Sequence, residues 1–426
     1  MAGDVMTTET GKENGKILVV GGGISGLTIA VEAAEVGCEV VIVEKNPYLG
    51  GRVAQMNQYF PKLCPPYCGL EINFKRIRNN GNIRFHTLCE IEKVSGQAGN
   101  YDVTVRMKPR YVNEKCTACG ECVAVCPVER ENEFNYGMDK TKAIYCPHEM
   151  AAPMRYVIDD TVCKGTSCAK CAEVCKYGAI DLEMKPKEMN LKASAIVFAT
   201  GWKPYDAAKI DNLCFGKYQN ILTNVMVERL AAQNGPTGGR LIRPSDGKEI
   251  KSVAFVQCAG SRDENHLPYC STVCCSASLK QTTFFREQYP DSKIYIFYID
   301  VRTPGRLEDF FTKVKDDENV TLIKGKVAKI TEDAATKDLT VEAEDTMTGQ
   351  KVKVKVELVV LATGMVPNDM PALPAEMSID EDGFIFSDPA KSGIYATGCA
   401  KKPIDVAVSI QDATGTTLKA IQCVRR

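Results

Sequence analysis

One stretch limits the possible folds more than any other. "KILVVGGGISGLTIAVEAAEVGCEVVIVEKN", residues 16–46, runs as apolar strand, Gly-rich turn, amphipathic helix and second strand. Gly21, Gly23 and Gly26 keep the G-x-G-x-x-G spacing at the strand-to-helix turn, and Glu44 ends the next strand about 20 residues on. Glycines at this turn let backbone N–H groups approach a pyrophosphate, and the helix dipole favours the negative charge there; Gly22, Gly23, Ile24 and Ser25 are expected at the cofactor. Glu44, with Lys45 beside it, is placed for a ribose 2′-hydroxyl and repels a 2′-phosphate. The stretch predicts a βαβ dinucleotide-binding unit.

"YLGGRV" follows, and Gly50, Gly51 and Arg52 resemble the second phosphate contact of FAD-binding chains. Two later strands end in Ala-Thr-Gly, at Thr200-Gly201 and Thr363-Gly364. They resemble the crossing points between the FAD and NAD(P) domains of the thioredoxin and glutathione reductase superfamily. Near the carboxyl end, "YATGCAKKPID" resembles the segment where those flavoproteins hold the ribityl chain with Gly-Asp; here Gly398 is followed by Cys399.

The second constraint is sulfur. The chain has 20 cysteines, and its polar start, "MAGDVMTTETGKENGK", resembles neither a secretory signal nor a presequence. Reduced thiols for metal or redox work are therefore expected instead of disulfides. "CTACGECVAVCP" gives Cys116, Cys119, Cys122 and Cys126 before Pro127, the bacterial ferredoxin spacing in which the fourth cysteine ligates the other cluster. Its partner run supplies Cys163, Cys168, Cys171 and Cys175, with a widened first gap and Lys176 in place of proline. The expected sets are Cys116, Cys119, Cys122 and Cys175 for one 4Fe-4S cluster, and Cys126, Cys163, Cys168 and Cys171 for a second. Cys146 is the alternative ligand to Cys163, or a packed thiol.

"KSVAFVQCAGSRD" starts a second Rossmann-like unit, yet no G-x-G-x-x-G follows, so the nest for a nicotinamide pyrophosphate is missing. Cys258, Cys270, Cys274 and Cys275 stand there instead, as four soft ligands on a strand end and the loop into a helix. His266 reads as a loop residue. Cys64 and Cys68 are either a redox or ligand pair or structural thiols, and Cys38, Cys89, Cys214 and Cys423 read as packing residues.

Cys-Ala-Gly-Ser-Arg-Asp, the Pro-Tyr-Cys and Cys-Cys that follow, the ferredoxin run and "YVIDDTVC" together resemble the FAD-bearing iron-sulfur subunit of heterodisulfide reductase, the HdrA family, over nearly the whole chain. That family implies FAD and a non-standard 4Fe-4S cluster on Cys258, Cys270, Cys274 and Cys275, three clusters in all. "FPKLCPPYCGLEINFKRI" and the chain length are most similar to the branch found in quinone-interacting membrane-bound oxidoreductase complexes of sulfate reducers. The resemblance implies a second flavoprotein of the same family, a haem and quinone membrane subunit, and adenylylsulfate reductase as partners. It further implies a cytoplasmic protein, peripheral to the membrane through those subunits.

The expected fold is α/β, a thioredoxin reductase-like flavoprotein with two dinucleotide-binding domains and an inserted ferredoxin-like α+β domain. Its divisions are a disordered tail at 1–14, FAD-binding segments at 15–109, 187–204 and 366–426, the ferredoxin insert at 110–186, and a degenerate NAD(P)-type domain at 205–365. The strand-like tail of that domain, "VTLIKGKVAKITED", "LTVEAED" and "QKVKVKVELVVLATG", alternates as antiparallel strands do. A net charge of −1 excludes the broad basic footprint of nucleic-acid binding, and no apolar run makes a membrane span. The expected role is electron relay between flavin and clusters, with no essential acid-base side chain. A stand-alone NAD(P)H-dependent disulfide reductase and a scaffold with vestigial cofactors are the alternatives.

Overall fold

The computed structural model describes residues 15–370, 374, 377–387 and 393–425; the expected tail at 1–14 lies outside them. Two parallel five-stranded sheets organise the chain. In the first, the order is Ile394–Ala396, Ala195–Phe198, Lys16–Val20, Glu39–Glu44 and Ile83–Thr87. All four strand pairs are parallel. The strand Lys16–Val20 is apolar on both faces because both are covered. Ile17 and Val19 pack with Leu27 and Ile29 of the helix Ile24–Glu35. Leu18 turns to the other side, with Tyr101, Val103 and Val105 of a three-stranded antiparallel sheet.

The second sheet repeats the plan: Ile221–Thr223, Leu358–Thr363, Ser252–Ala259, Lys293–Tyr298 and Val320–Lys324, again all parallel. Helices Asn224–Ala231, Cys274–Gln288 and Leu307–Lys315 contribute to the core on one face. Val327–Glu332, Leu339–Asp345 and Gln350–Val356 form an antiparallel layer on the other. This corrects one expectation from the sequence. "VTLIK" and "LVVLAT" belong to the parallel sheet, and only the three strands between them are antiparallel. The reason is burial: every residue of Leu358–Thr363 is buried, so it is a central strand, whereas Gln350–Val356 alternates between exposed and covered.

Directly after each Ala-Thr-Gly the chain enters a two-stranded ribbon, Trp202–Pro204 against Met365–Pro367, which joins the two halves. Residues 110–186 hold short hairpins and two single-turn helices, Glu121–Ala124 and Lys170–Glu173. The hydrophobic cluster around their cysteines is small: Val112, Cys122, Ile144, Ile158 and Ala179 are its buried members. Among the described residues no helix is long and apolar enough to cross a membrane.

Candidate functional site: a flavin-type cleft and three cysteine groups

The three glycines of the first turn have three different jobs. Gly21 takes φ +108°, and a Cβ on it would stand 2.3 Å from the Ala199 carbonyl oxygen. A Cβ on Gly26 would lie 1.9 Å from the Gly21 oxygen, so this glycine sets the closeness of helix to strand. At Gly23 the nearest atom to such a Cβ is 3.9 Å away, the Cα of Gly51. That space opens into a cleft lined by Gly21, Gly23, Ile24, Ser25, Glu44 and Lys45. Gly23 caps the helix Ile24–Glu35 without a side-chain hydrogen bond, and its first turn carries no acid. The unpaired N–H groups and positive helix end suit a pyrophosphate.

Glu44 is buried at the far side of this turn. Its Oε2 accepts from the Gly22 N–H at 2.6 Å and its Oε1 from the Asn46 N–H at 2.7 Å. Burial raises its carboxyl above the usual range, against the pull of these two amides. Gly51, Arg52, Thr200, Gly201 and Cys399 also line the cleft. Gly22, Gly26 and Gly398 shape its loops from behind; a Cβ on Gly398 would stand 2.5 Å from Ser25 Oγ. These residues therefore fit an FAD with its pyrophosphate at Gly23.

Sequence reading missed the residue that secures the Gly398 loop. Asp412, on the helix Val406–Val424, accepts from the Gly398 N–H at 2.8 Å and the Thr397 hydroxyl at 2.8 Å, and pairs with Lys401 at 2.7 Å. Partial burial opposes ionisation, but Lys401 and the two donors prevail and hold its pKa below the usual Asp value. No spacing rule marks a carboxylate 14 residues after its loop glycine. A depressed carboxyl contributes stability that is present above its unfolded pKa and lost as pH falls through the folded value. Asp412→Asn is expected to cost about 1 kcal/mol at pH 7, and the gap in denaturation midpoint between variant and wild type should narrow below about pH 4. A gap independent of pH would refute the ionic role.

In the insert, one cavity is lined by Cys126, Cys163, Cys168 and Cys171 together with Val128, Ile144 and Ile158. Cys146 is not among its walls; its thiol donates to the His148 carbonyl at 3.4 Å. Burial pushes the Cys122 thiol up to about 12, with the neighbouring Cys116, Cys171 and Cys119 sulfurs adding to the effect. Backbone N–H groups of Gly165 and Ala179 donate to the sulfurs of Cys163 and Cys175 at 3.4 and 3.3 Å, the kind of contact that tunes cluster potential. Among the described residues no three ligating side chains converge on one metal ion. A cubane spreads its thiolates over four corners, and the sulfur-only donor set suits it.

The third quartet sits at the end of the central strand of the second sheet. Ser252–Ala259 closes with Cys258 at φ +55°, and the helix Cys274–Gln288 begins on Cys274 and Cys275. This is the place in the second sheet that the Gly-rich turn holds in the first. Burial pushes the Cys258 thiol up to about 11, Cys275 and Cys270 adding to it while the Arg262 guanidinium opposes. Burial drives Cys274 well above the usual thiol range, and Cys258, Cys275 and Cys270 add to the shift. Each of Cys258, Cys270 and Cys275 thus lies within electrostatic reach of Cys274. The Thr272 N–H donates to Cys270 Sγ at 3.3 Å. Arg262 reaches Asp300 Oδ1 at 2.5 Å, and Arg302 lies 3.5 Å from the same oxygen.

The cleft that begins at Gly21 extends to Thr272, Val273, Ser276 and Ala277, the loop and helix turn carrying this quartet. Its wall includes a buried ion pair, Lys280 to Glu228 at 2.9 Å. Lys280 also donates to the Gln58 carbonyl at 2.6 Å, and Glu228 accepts from the Asn57 N–H at 3.0 Å, which ties the two halves together. Elsewhere Cys64 and Cys68 are exposed, Cys38 and Cys89 are buried, and Cys214 and Cys423 are half-buried. His266 Nδ1 lies 2.9 Å from the Tyr205 hydroxyl, in the loop before the quartet's helix.

Residues 19–65 match the NAD(P)-binding Rossmann-like domain, and residues 109–129 match the 4Fe-4S binding domain. The chain is 39% identical over 419 residues to an iron-sulfur subunit of the CoB–CoM heterodisulfide reductase of Methanopyrus kandleri, covering 95% of this chain and 64% of that one. The corresponding iron-sulfur subunit of the Methanocaldococcus jannaschii enzyme is 38% identical, with 93% of this chain and 62% of the relative covered. The chain thus spans just under two thirds of these relatives. Among solved structures, Lactococcus lactis thioredoxin reductase superposes with a TM-score of 0.53 at 11% identity, covering 96% of this chain and 99% of that one. The thioredoxin reductase of T. acidophilum gives 0.52 at 14% identity, covering 96% of both. The fold is therefore that of the two-domain flavoproteins, and the resemblance to the HdrA family of heterodisulfide reductase extends over nearly the whole chain.

Proposed function

We propose that this chain, similar to the HdrA proteins of heterodisulfide reductase from end to end of the compared region, is an FAD and iron-sulfur electron-transfer component of a multi-subunit oxidoreductase. The observation that carries the reading is the position of Cys258, Cys270, Cys274 and Cys275, on the strand end and helix start where a nicotinamide-binding loop would lie. When bound, FAD exchanges electrons in pairs and each 4Fe-4S cluster passes them singly. What the chain itself supplies is placement and tuning. Gly21, Gly23 and Gly26 shape the pyrophosphate seat, with Glu44 for the ribose and Lys45 beside it. Arg52, Thr200, Gly201 and Cys399 border the rest of the cleft. Cys116, Cys119, Cys122 and Cys175 hold one cluster, and Cys126, Cys163, Cys168 and Cys171 a second. The third quartet stands against the far end of the cleft, where Arg262 and Arg302 offset the negative charge of the thiolates.

The finer reading places the chain between a membrane quinone pool and a soluble acceptor or donor such as adenylylsulfate reductase, docked through a second flavoprotein and a haem-bearing membrane subunit. It is supported by the "FPKLCPPYCGLEINFKRI" stretch. The thioredoxin reductase fold favours one alternative, a pyridine-nucleotide disulfide reductase acting alone. Anaerobic purification with flavin, iron and sulfide analysis separates the two. About twelve iron atoms per FAD, all exchanging electrons with it in a redox titration, are expected from three clusters. Rapid flavin reduction by NADH or NADPH in the isolated chain, with about eight iron atoms per FAD, would overturn the relay.

A further inference from the structure

We propose that the ferredoxin insert is itself a wall of the flavin site, with Tyr136 positioning Arg52, so that FAD is held firmly only when the insert carries its clusters. The inference rests on the cofactor reading above and goes beyond it, because it couples two sites that the sequence lays out as separate modules.

Seven residues of the insert, Arg130, Phe134, Tyr136 and Tyr145 among them, line the same cleft as Gly23 and Glu44. The turn Glu133–Asn135 ends at Tyr136 with φ +54°, a backbone conformation that a tyrosine holds only when its surroundings impose it. Those surroundings are explicit. Asn132 Oδ1 accepts from the Phe134 N–H at 3.2 Å, and the Asn135 amide donates to both oxygens of Asp139, at 3.0 and 2.9 Å. The Tyr136 hydroxyl then accepts from Arg52 Nη1 at 3.0 Å and donates to Gln55 Oε1 at 3.3 Å, while Gln55 Nε2 donates to the Phe134 carbonyl at 3.1 Å. Arg52 Nε is committed to the Trp202 carbonyl at 2.7 Å. With two corners fixed, the guanidinium presents Nη2, which has no protein partner among the described residues, beside the cleft.

A second seam holds the insert against the other end of the site. Arg110, buried, donates to the Pro47 carbonyl and to Thr87 Oγ1 at 2.8 Å. Its other amino group reaches the carbonyls of Arg155 and Tyr156 at 3.2 and 3.3 Å. The insert cannot maintain these contacts unaided. The hydrophobic cluster around its cysteines has five buried residues, and Cys116, Cys126, Cys163, Cys171 and Cys175 form much of the partly buried shell around them. A core this small, built around thiols, folds on its metal. By linkage, whatever stabilises the insert strengthens FAD binding, and FAD in turn protects the insert.

Two variants of the full chain, purified anaerobically, test this. Tyr136→Phe keeps the ring and is expected to retain the insert's cluster signals by electron paramagnetic resonance. Its FAD affinity, read from the fluorescence of released flavin, should fall about tenfold through loss of the hydroxyl that fixes Arg52. A Cys119→Ser, Cys168→Ser chain should lose the insert's clusters and its FAD together. If either variant binds FAD within threefold of wild type, or if Tyr136→Phe weakens FAD only by losing its clusters, the proposal is overturned. Wild type that never carries FAD would instead sink the function proposed above, so the two failures are distinguishable.

Discussion

Cys258→Ala is expected to remove about four iron atoms per chain, the content of one cluster, and to break electron flow between flavin and iron while FAD stays bound. The residue is buried at the end of its strand with φ +55°, a backbone setting that side chains other than glycine take up at a cost of about 1–3 kcal/mol. The strain is tolerable if the bent strand end aims the sulfur at its three neighbours, and pointless if Cys258 merely fills space. Alanine keeps the small volume, so the core around Ala254, Val256 and Ala259 need not collapse. What vanishes is one of four ligands, and the loss of cluster affinity should exceed the roughly 10–100-fold that removal of an outer-shell partner costs. Iron analysis with a potentiometric titration checks both halves of the expectation. A variant that keeps wild-type iron and still passes electrons between flavin and clusters would show that the quartet is a packed group of thiols.

The second large effect is expected at the Gly-rich turn, where two alanine substitutions three residues apart should fail in different ways. At Gly26 the new Cβ would stand 1.9 Å from the Gly21 oxygen and 3.1 Å from its carbonyl carbon, both backbone atoms that cannot step aside. The helix must ride up off the strand, at a cost of about 3 kcal/mol or more, and its N-terminal amides lose their aim. Gly26→Ala should therefore lower the unfolding midpoint and lose FAD together. Gly23 has ordinary extended backbone, φ −76° and ψ −174°, and open space before it. Gly23→Ala should fold normally yet weaken FAD at least about tenfold, since its methyl enters the pyrophosphate seat. Denaturation curves and flavin binding measured side by side decide the matter. Equal stability loss in the two variants would refute the division of labour.

These expectations draw unequally on sequence and structure. The first turn was legible because its signal is local: strand, glycines, helix and acid lie within one 31-residue stretch, and each has a steric reason for its place. The 4Fe-4S binding motif at residues 109–129 was legible in the same way, since its cysteines are spaced within one short run. Asp412 left no such mark, for its link to Gly398 is made by a helix returning to a loop. Nor did alternation alone separate the strands of the second half. "VTLIK" and "LVVLAT" read like their antiparallel neighbours until the parallel sheet claims them, because strand direction depends on which partner lies alongside.

The sequence by itself determined the local patterns: a turn of dinucleotide-binding type, cysteines where a second such turn would stand, and a 4Fe-4S-type cysteine run between them. Only the tertiary structure decided the company each residue keeps. It put Cys163, not Cys146, on the cavity with Cys126, Cys168 and Cys171, and it laid Tyr136 of the insert on Arg52, 84 residues away. The physical reason is range. Turn sterics and ligand spacing act over a few residues and are written in order along the chain, whereas contacts closed across long loops are chosen by burial and packing of the whole molecule.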